Sequence, residues 1–467
     1  MSAGDSGTDT HAFHNSVLAE CETAVPAGAY ADTDFAYYVF LNSRGAYAFS
    51  QALHSGRPLR ALSATIPLFS WDEREMAQDW AVRFDDLPDD RPLHANEGEM
   101  PAARFAQGVG IMQFVVGPVH AGIIEGGRFT FSSGGETIVY LDAQLGYAHR
   151  GVEGALKDAS PVQAAAKIAR ICGGCSAARS LAYAMAIEKL AAFEPEPEIE
   201  LVRLIVAELE RVYNHLADLA AGASGAGYAA GFARGMALKE RAMRLCHAVS
   251  GHRLLFDAIA PGGLGRPLLE DRAAFGMELS ALERDVRLYV DALFGNASVI
   301  SRWAGAGIVP HATAQAFGAV GPAFRASGGS IDIRSFTPYA AYRWLPVSVA
   351  CREAGDVRAR CEVKRDETIE SLGLIRRALH ELRYTSLPPQ EPLEARPGIG
   401  LSVVEGPRGT ELVAVHVGAN KCIERIHFIS ASYRNWPIAV RAMENNIVPD
   451  FPLVNKSFNL CYACADR

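Results

Sequence analysis

Apolar residues recur at Leu201, Ile205, Leu209, Val212, Leu216 and Leu219, and this three- and four-residue spacing, kept over five turns, predicts a long helix across 201–220. The stretches 236–260, 268–294 and 358–383 repeat the period. Several long helices joined by short loops containing Gly and Pro imply a bundle. The period falls to two in 110–120, 127–133 and 136–143, which predicts a small sheet, and the strand pattern returns in 398–430, read as hairpins against the bundle. A last helix near 435–446 leads into the C-terminal tail. The first hundred residues differ. FAYYVFL (35–41) and ALSATIPLF (61–69) read as strands with a helical stretch between them, and WDEREMAQDWAVRF (71–84) follows. The segment 85–101, rich in Asp and Pro, marks a boundary. The expected fold class is α+β: a small α/β domain (1–100), then a long-helix bundle with small antiparallel sheets (101–467).

Composition narrows the function classes. Hydrophobic residues at 49% and charged residues at 21% suit a soluble globular protein, and 467 residues allow two or three domains. The net charge is −8 with no long basic run, so nucleic acid is not an expected partner. No run of eighteen apolar residues offers a bilayer span, and the opening MSAGDSGTDTHAF lacks the apolar core of a secretory signal. The chain is therefore expected in the cytosol, unless partner subunits hold it at a membrane.

In a reducing compartment the nine cysteines are not expected to form structural disulfides. Cys21, Cys246, Cys351, Cys361 and Cys422 stand alone and are expected to be small buried hydrophobes. The other four form two CxxC pairs, in RICGGCSAARS (170–180) and NLCYACADR (459–467). Each pair can offer two sulfurs to one ion, but spacing alone leaves zinc, another metal or no metal open. Zinc ribbons place their pairs roughly 15–20 residues apart; here the fold would have to join the middle of the chain to its end.

RICGGC followed by CYACADR resembles the signature motifs of [NiFe] hydrogenase large subunits. The resemblance extends to GPVHAGIIEGGRF (117–129), YAHRGVEGAL (147–156), PYAAY (338–342), GDVRAR (355–360) and EGPRG (405–409). These elements are similar to the membrane-bound, formate-hydrogenlyase branch, related to the quinone-site subunit of respiratory complex I. WDEREMAQDW (71–80) looks like an element of the complex I subunit often fused in front, so residues 1–100 are expected to be a docking domain. The resemblance implies a nickel–iron centre whose iron carries CO and cyanide. Cys172 and Cys461 would be terminal nickel ligands, with Cys175 and Cys464 bridging to iron. It gives Glu125 proton transfer and sets Arg408 over the open metal position. It also implies a small iron–sulfur subunit and membrane subunits as partners, with no iron–sulfur cluster in this chain. The complex would lie peripherally on the cytoplasmic face of the membrane.

The sequence departs from that family at three places. Asn459 and Leu460 stand where Asp-Pro precedes the second pair, which removes the carboxylate expected to pair with Arg408. Arg179 stands where a histidine donates to a bridging thiolate. The sequence stops three residues after Cys464, which gives the expectation that no cleaved C-terminal extension is encoded. Three readings follow: a hydrogenase large subunit; a complex I-like subunit whose His120 contacts a quinone headgroup; and a scaffold that has lost its metal. His149, Arg150 and Glu153 read as a salt-bridge cluster or as a proton path.

Overall fold

The structure is a computed structural model that describes residues 10–53, 57–95, 100–120, 124–266, 269–383 and 393–467. Helix α1 (Thr10–Thr23) leads into an antiparallel meander of β1 (Val25–Ala31), β2 (Phe35–Asn42) and β3 (Gly45–Ala52). The helical stretch expected after β2 is instead β3, whose Tyr47 and Phe49 pack on the Phe40 ring. The expected strand 61–69 is also overturned, because it forms two 3₁₀ turns, Leu62–Ala64 and Pro67–Phe69. Pro67 has no N–H to give a ladder. The Leu62 and Ser63 amides donate to the Glu73 carboxylate at 2.7 and 3.0 Å. Leu62, Leu68 and Phe69 are buried all the same, so the apolar run marked core without marking its conformation. Helix α2 (Ser70–Trp80) completes this part.

Alternation along β2 gives the meander two apolar faces. Tyr38 and Phe40 enter a core with Phe13, Val17, Phe69 and Met76. Tyr37 and Val39 meet Leu401, Leu412, Ile429 and Tyr433 from the far end of the sequence. The second sheet forms as expected from β4 (Ile111–Val116), β5 (Arg128–Gly134) and β6 (Thr137–Gln144), in that order with β4 at an edge.

The bundle is built round α5 (Pro197–Gly225), reached through α3 (Pro161–Ile168) and α4 (Ser176–Ala191). Pro197 opens α5, and Glu198 and Glu200 lie in its first turn, where the exposed amide ends favour negative charge. Helices α6 (Ala229–Ser250), α7 (Arg272–Phe294) and α12 (Val357–Glu381) bear out the expected bundle. Between α6 and α7 lies the hairpin β7 (Ile259–Ala260) and β8 (Gly263–Leu264). Short helices α8 (Ala297–Trp303), α9 (His311–Ala316), α10 (Gly321–Arg325) and α11 (Ile333–Phe336) precede α12. Leu204, Ile205, Leu209, Val212, Leu216 and Leu219 are fully enclosed, which stabilises by roughly 2 kcal/mol per side chain. The polar side is enclosed too: Glu208, Glu210, Arg211, His215 and Asp218 are all buried.

The third sheet, β9 (Gly398–Gly406), β10 (Gly409–Val417) and β11 (Ile423–Ile429), rests on α4. Helix α13 (Ala431–Met443) begins at Ser430, whose hydroxyl accepts the Tyr433 amide at 3.1 Å. The tail beyond it holds two more helices, α14 (Phe451–Phe458) and α15 (Tyr462–Asp466).

Candidate metal centre

Both CxxC segments sit at helix starts held by buried polar groups. α4 begins directly after Cys175, and its first amides, Ala177 and Ala178, donate to the Glu210 carboxylate at 2.7 and 3.0 Å. Tyr213 and Asn214, on the same face of α5, donate to the carbonyls of Gly173 and Gly174 at 2.7 and 2.9 Å. The second pair opens α15. The Cys461 amide donates to the Ser432 hydroxyl at 3.0 Å, and the Ser430 hydroxyl donates to the Cys464 carbonyl at 3.1 Å.

Arg150 fastens the two segments together: one guanidinium nitrogen donates to the Ile171 carbonyl at 2.8 Å and to the Ala463 carbonyl at 3.2 Å. Glu153 lies in an ion-pair cluster, 2.7 Å from Arg425, 3.1 Å from His427 and 3.0 Å from Arg467. His149 Nδ1 lies 2.7 Å from the Asp466 carbonyl. All three thus have structural roles.

The four sulfurs are neighbours although the pairs are far apart in sequence. Cys172 Sγ lies 3.2 Å from Cys461 Sγ, and Cys175 Sγ lies 3.0 Å from Cys464 Sγ. The sulfurs of Cys172, Cys461 and Cys464 are all within 4.8 Å of one another. Hydrogen bonds from Cys175, Cys461 and Cys464 hold the Cys172 thiol well below its ordinary pKa, while those with Cys172 and Cys464 push Cys175 and Cys461 up. Four soft donors this close fit a thiophilic transition metal, which binds all of them deprotonated.

Two guanidinium groups face the sulfurs. Arg179, 1% exposed, donates to Glu411 at 2.8 Å and to Cys464 Sγ at 3.4 Å. Arg408 occupies the tight turn between β9 and β10. It donates through Nε to the Asn459 carbonyl and through Nη1 to Asn214 Oδ1 at 3.2 Å. Gly174 lets this cation approach, since a Cβ there would lie 3.0 Å from Arg408 Nη1 and 3.6 Å from Cys172 Sγ.

The carboxylate missing at position 459 has a counterpart that the sequence reading did not single out. Asp218, on α5, receives Lys364 Nζ at 2.6 Å and the Asn459 side-chain amide, and it is the strongest negative influence on Arg408. Asn459 caps α14 at φ 50°, a left-handed conformation that Asn tolerates. A signal existed in ELERVYNHLAD (208–218), where the charges fall on several sides of a helix and so cannot all face solvent.

Glu125 is half-buried; together with burial, the dominant effect, its charge pushes the pKa of Asp466 up. Nearby Gly127 leaves room for the Tyr462 ring, which a Cβ would meet at 2.3 Å. His120 Nε2 lies 3.3 Å from the Tyr462 hydroxyl. The segment 117–129 therefore packs on the second cysteine motif, with residues 121–123 outside the described residues. Of the single cysteines, Cys246 and Cys361 are buried as expected, Cys21 and Cys422 partly so, and Cys351, in the loop before α12, is exposed.

The family described as respiratory-chain NADH dehydrogenase, 49 Kd subunit, matches residues 226–397, a range without either CxxC pair. Among similar proteins, formate hydrogenlyase subunit 5 of Escherichia coli is 28% identical over 89% of this chain and 75% of its own length. NADH-quinone oxidoreductase subunit 4 of Thermus thermophilus is 31% identical over 58% of this chain and 67% of its own. The carbon monoxide-induced hydrogenase of Rhodospirillum rubrum is 31% identical over 75% of this chain and 98% of its own length. The chain belongs to this family of hydrogenase large subunits and complex I 49 kDa subunits. The match to the hydrogenase from Rhodospirillum rubrum takes in nearly all of that protein, so this oxidoreductase family extends well beyond the helices of the 49 kDa match. Among the described residues no helix is long and apolar enough to cross a membrane.

Proposed function

We propose that this chain is the catalytic large subunit of a membrane-associated hydrogenase, interconverting hydrogen with protons and electrons. The observation that carries the reading is the approach of four sulfurs from segments 289 residues apart. Cys172, Cys175, Cys461 and Cys464 would hold a nickel–iron centre, and such a centre, when bound, polarises H–H and accepts electrons. The chain's own groups supply the surroundings. Arg408 is a permanent cation beside the Cys172 loop. Arg179 donates to Cys464 Sγ and draws electron density from it. Glu125 takes up the proton on its way out, from a segment that packs on the second cysteine motif.

Among the described residues no second group of cysteines converges. Electrons would therefore pass to a small iron–sulfur subunit. Val109, Met112, Val115 and Val119, on and beside edge strand β4, are exposed, and such an apolar patch suits subunit contact. Residues 1–100 would serve as a docking domain.

The test is nickel and iron analysis of the native complex, with infrared detection of iron-bound CO and cyanide and isotope exchange between hydrogen and deuterated water. Near one nickel per chain with exchange activity is expected, and Glu125→Gln should abolish exchange while retaining nickel. A complex without nickel or exchange would sink the reading. The quinone reading draws on the His120–Tyr462 contact beside the cysteine motif; a metal-free complex that binds quinone would favour it, and one that binds neither would favour the scaffold.

A further inference from the structure

A second cluster of metal-ligating side chains lies away from the sulfurs, where α2 meets the loop after it. Glu75 and Asp79 are four residues apart and so share one face of α2. His94 returns to that face. Its position is built by Gln78, whose Oε1 accepts the Leu93 and His94 amides at 2.7 and 3.0 Å and whose Nε2 donates to the His94 carbonyl at 3.1 Å. Candidate ligand atoms of Glu75, Asp79 and His94 lie within 4.8 Å of one another.

Two further observations point to a ligand. His94 is only 3% exposed, yet neither ring nitrogen has a hydrogen-bond partner. A buried imidazole in that state forgoes the hydrogen bonds that would offset its desolvation. Glu75 uses Oε2 for Tyr433 and Arg467, while its Oε1 lies 3.8 Å from His427 Nδ1. Asp79 is exposed and gives solvent access to the cluster. The His94 ring also stacks on His149 with centroids 4.1 Å apart, which limits its rotation.

We propose that Glu75, Asp79 and His94 form a binding site for a divalent first-row transition cation of the zinc type, separate from the four-cysteine centre. One imidazole nitrogen and two carboxylate oxygens form a donor set that such ions accept, with water completing the shell. Bonds of about 2.1 Å put ligand atoms about 3.4 Å apart, so the side chains need to close by little more than an ångström. Burial keeps His94 neutral, with its pKa lowered to about 4, and neutral imidazole is the ligating form. The ion would bind α2 to the loop at His94 and, through Glu75, to Arg467 beside the second cysteine motif.

The experiment is titration of the purified native complex with Co²⁺, read by absorption and metal analysis. Thiolate-bound cobalt has an intense sulfur-to-metal charge-transfer band, whereas cobalt held by nitrogen and oxygen has only weak d–d bands. The expected result is one saturable Co²⁺ per chain without the sulfur band, displaced by Zn²⁺. Asp79→Asn and His94→Gln should each weaken it at least tenfold, and the surface change Asp34→Asn should leave it intact. No saturable cobalt of this kind, or binding that Asp79→Asn and His94→Gln both leave unchanged, overturns the site. Because Asp79 is exposed, its variant decides the matter even if His94→Gln fails to fold.

Discussion

Asp218 and Lys364 form a buried pair whose removal should disturb both stability and the position of Arg408. Their side chains are 2% and 3% exposed with 2.6 Å between charged atoms. At that distance and an effective dielectric of about 20, Coulomb attraction is about 6 kcal/mol before desolvation is set against it. Asp218→Asn leaves Lys364 with the Ser457 carbonyl at 2.8 Å. Lys364→Met leaves Asp218 with the Asn459 amide. Each single change strands a buried charge and should cost about 3–5 kcal/mol. The double variant strands neither, so it should cost clearly less than the sum, with a coupling of about 3 kcal/mol. Amide hydrogen exchange on peptides from α5 and α14 reads the local opening free energies. Asp218→Asn also removes the charge that faces Arg408 and weakens the hold on Asn459, whose carbonyl accepts from Arg408, so hydrogen–deuterium turnover should fall at least tenfold at unchanged nickel content. Additive penalties, or full turnover in Asp218→Asn, would refute the coupling between this pair and Arg408.

Gly321 has φ 64°, and a Cβ there would lie 2.4 Å from both the Arg408 carbonyl and the Gly409 Cα; Gly321→Ala should displace the turn, cost roughly 2–4 kcal/mol and lower turnover, read by thermal unfolding and isotope exchange. Arg150→Met removes the group shared by the Ile171 and Ala463 carbonyls, so nickel content per chain should fall by half or more while helix content by circular dichroism stays constant. Burial raises the Glu73 pKa from 4.5 to about 7. The folded state therefore holds this proton more tightly, and the stabilisation is full below pH 4.5 and lost as pH rises through about 7, roughly 3 kcal/mol in all. Compared with Glu73→Gln, the wild type should lose that amount between pH 5 and 8 in denaturant titrations, and a constant difference would contradict it.

The α+β class and the long helices were legible because apolar spacing records burial directly. Leu201 to Leu219 keep one face through α5, and 110–143 alternate as the second sheet does. The cysteine pairs and Arg408 could be named because motif chemistry is local. Their meeting was not legible from spacing, since nothing in RICGGC states which distant segment it faces. Two further kinds of position were opaque. The run 61–69 is apolar enough for a strand, but Glu73 captures its amides, a choice made by a side chain ten residues away. Asp218, Glu208 and Lys364 look in sequence like ordinary surface charges, and only the helices packed round α5 turn them into buried partners.

That burial bears on how the centre can form. Bringing Cys172 to Cys461 closes a loop of 289 residues, and chain entropy opposes this by about 5 kcal/mol from the logarithmic length dependence alone. Four thiols in contact gain little that would offset it. The neighbouring bonds can. Asp466 accepts the Gly146 and Ala148 amides at 2.8 and 3.1 Å, and Arg467 donates to the Phe428 carbonyl at 2.7 Å and to Glu153 at 3.0 Å. Arg150 adds its two carbonyls, and Glu75 brings in α2 from the start of the chain. These partners come from three separate stretches, α2, the segment 146–153 and β11, so the docked tail depends on all three being brought together. The sulfurs are then held together largely by charge-assisted bonds to their flanks, with no covalent link between the two pairs. In this chain the flanks organise the site, and the sulfurs need only arrive.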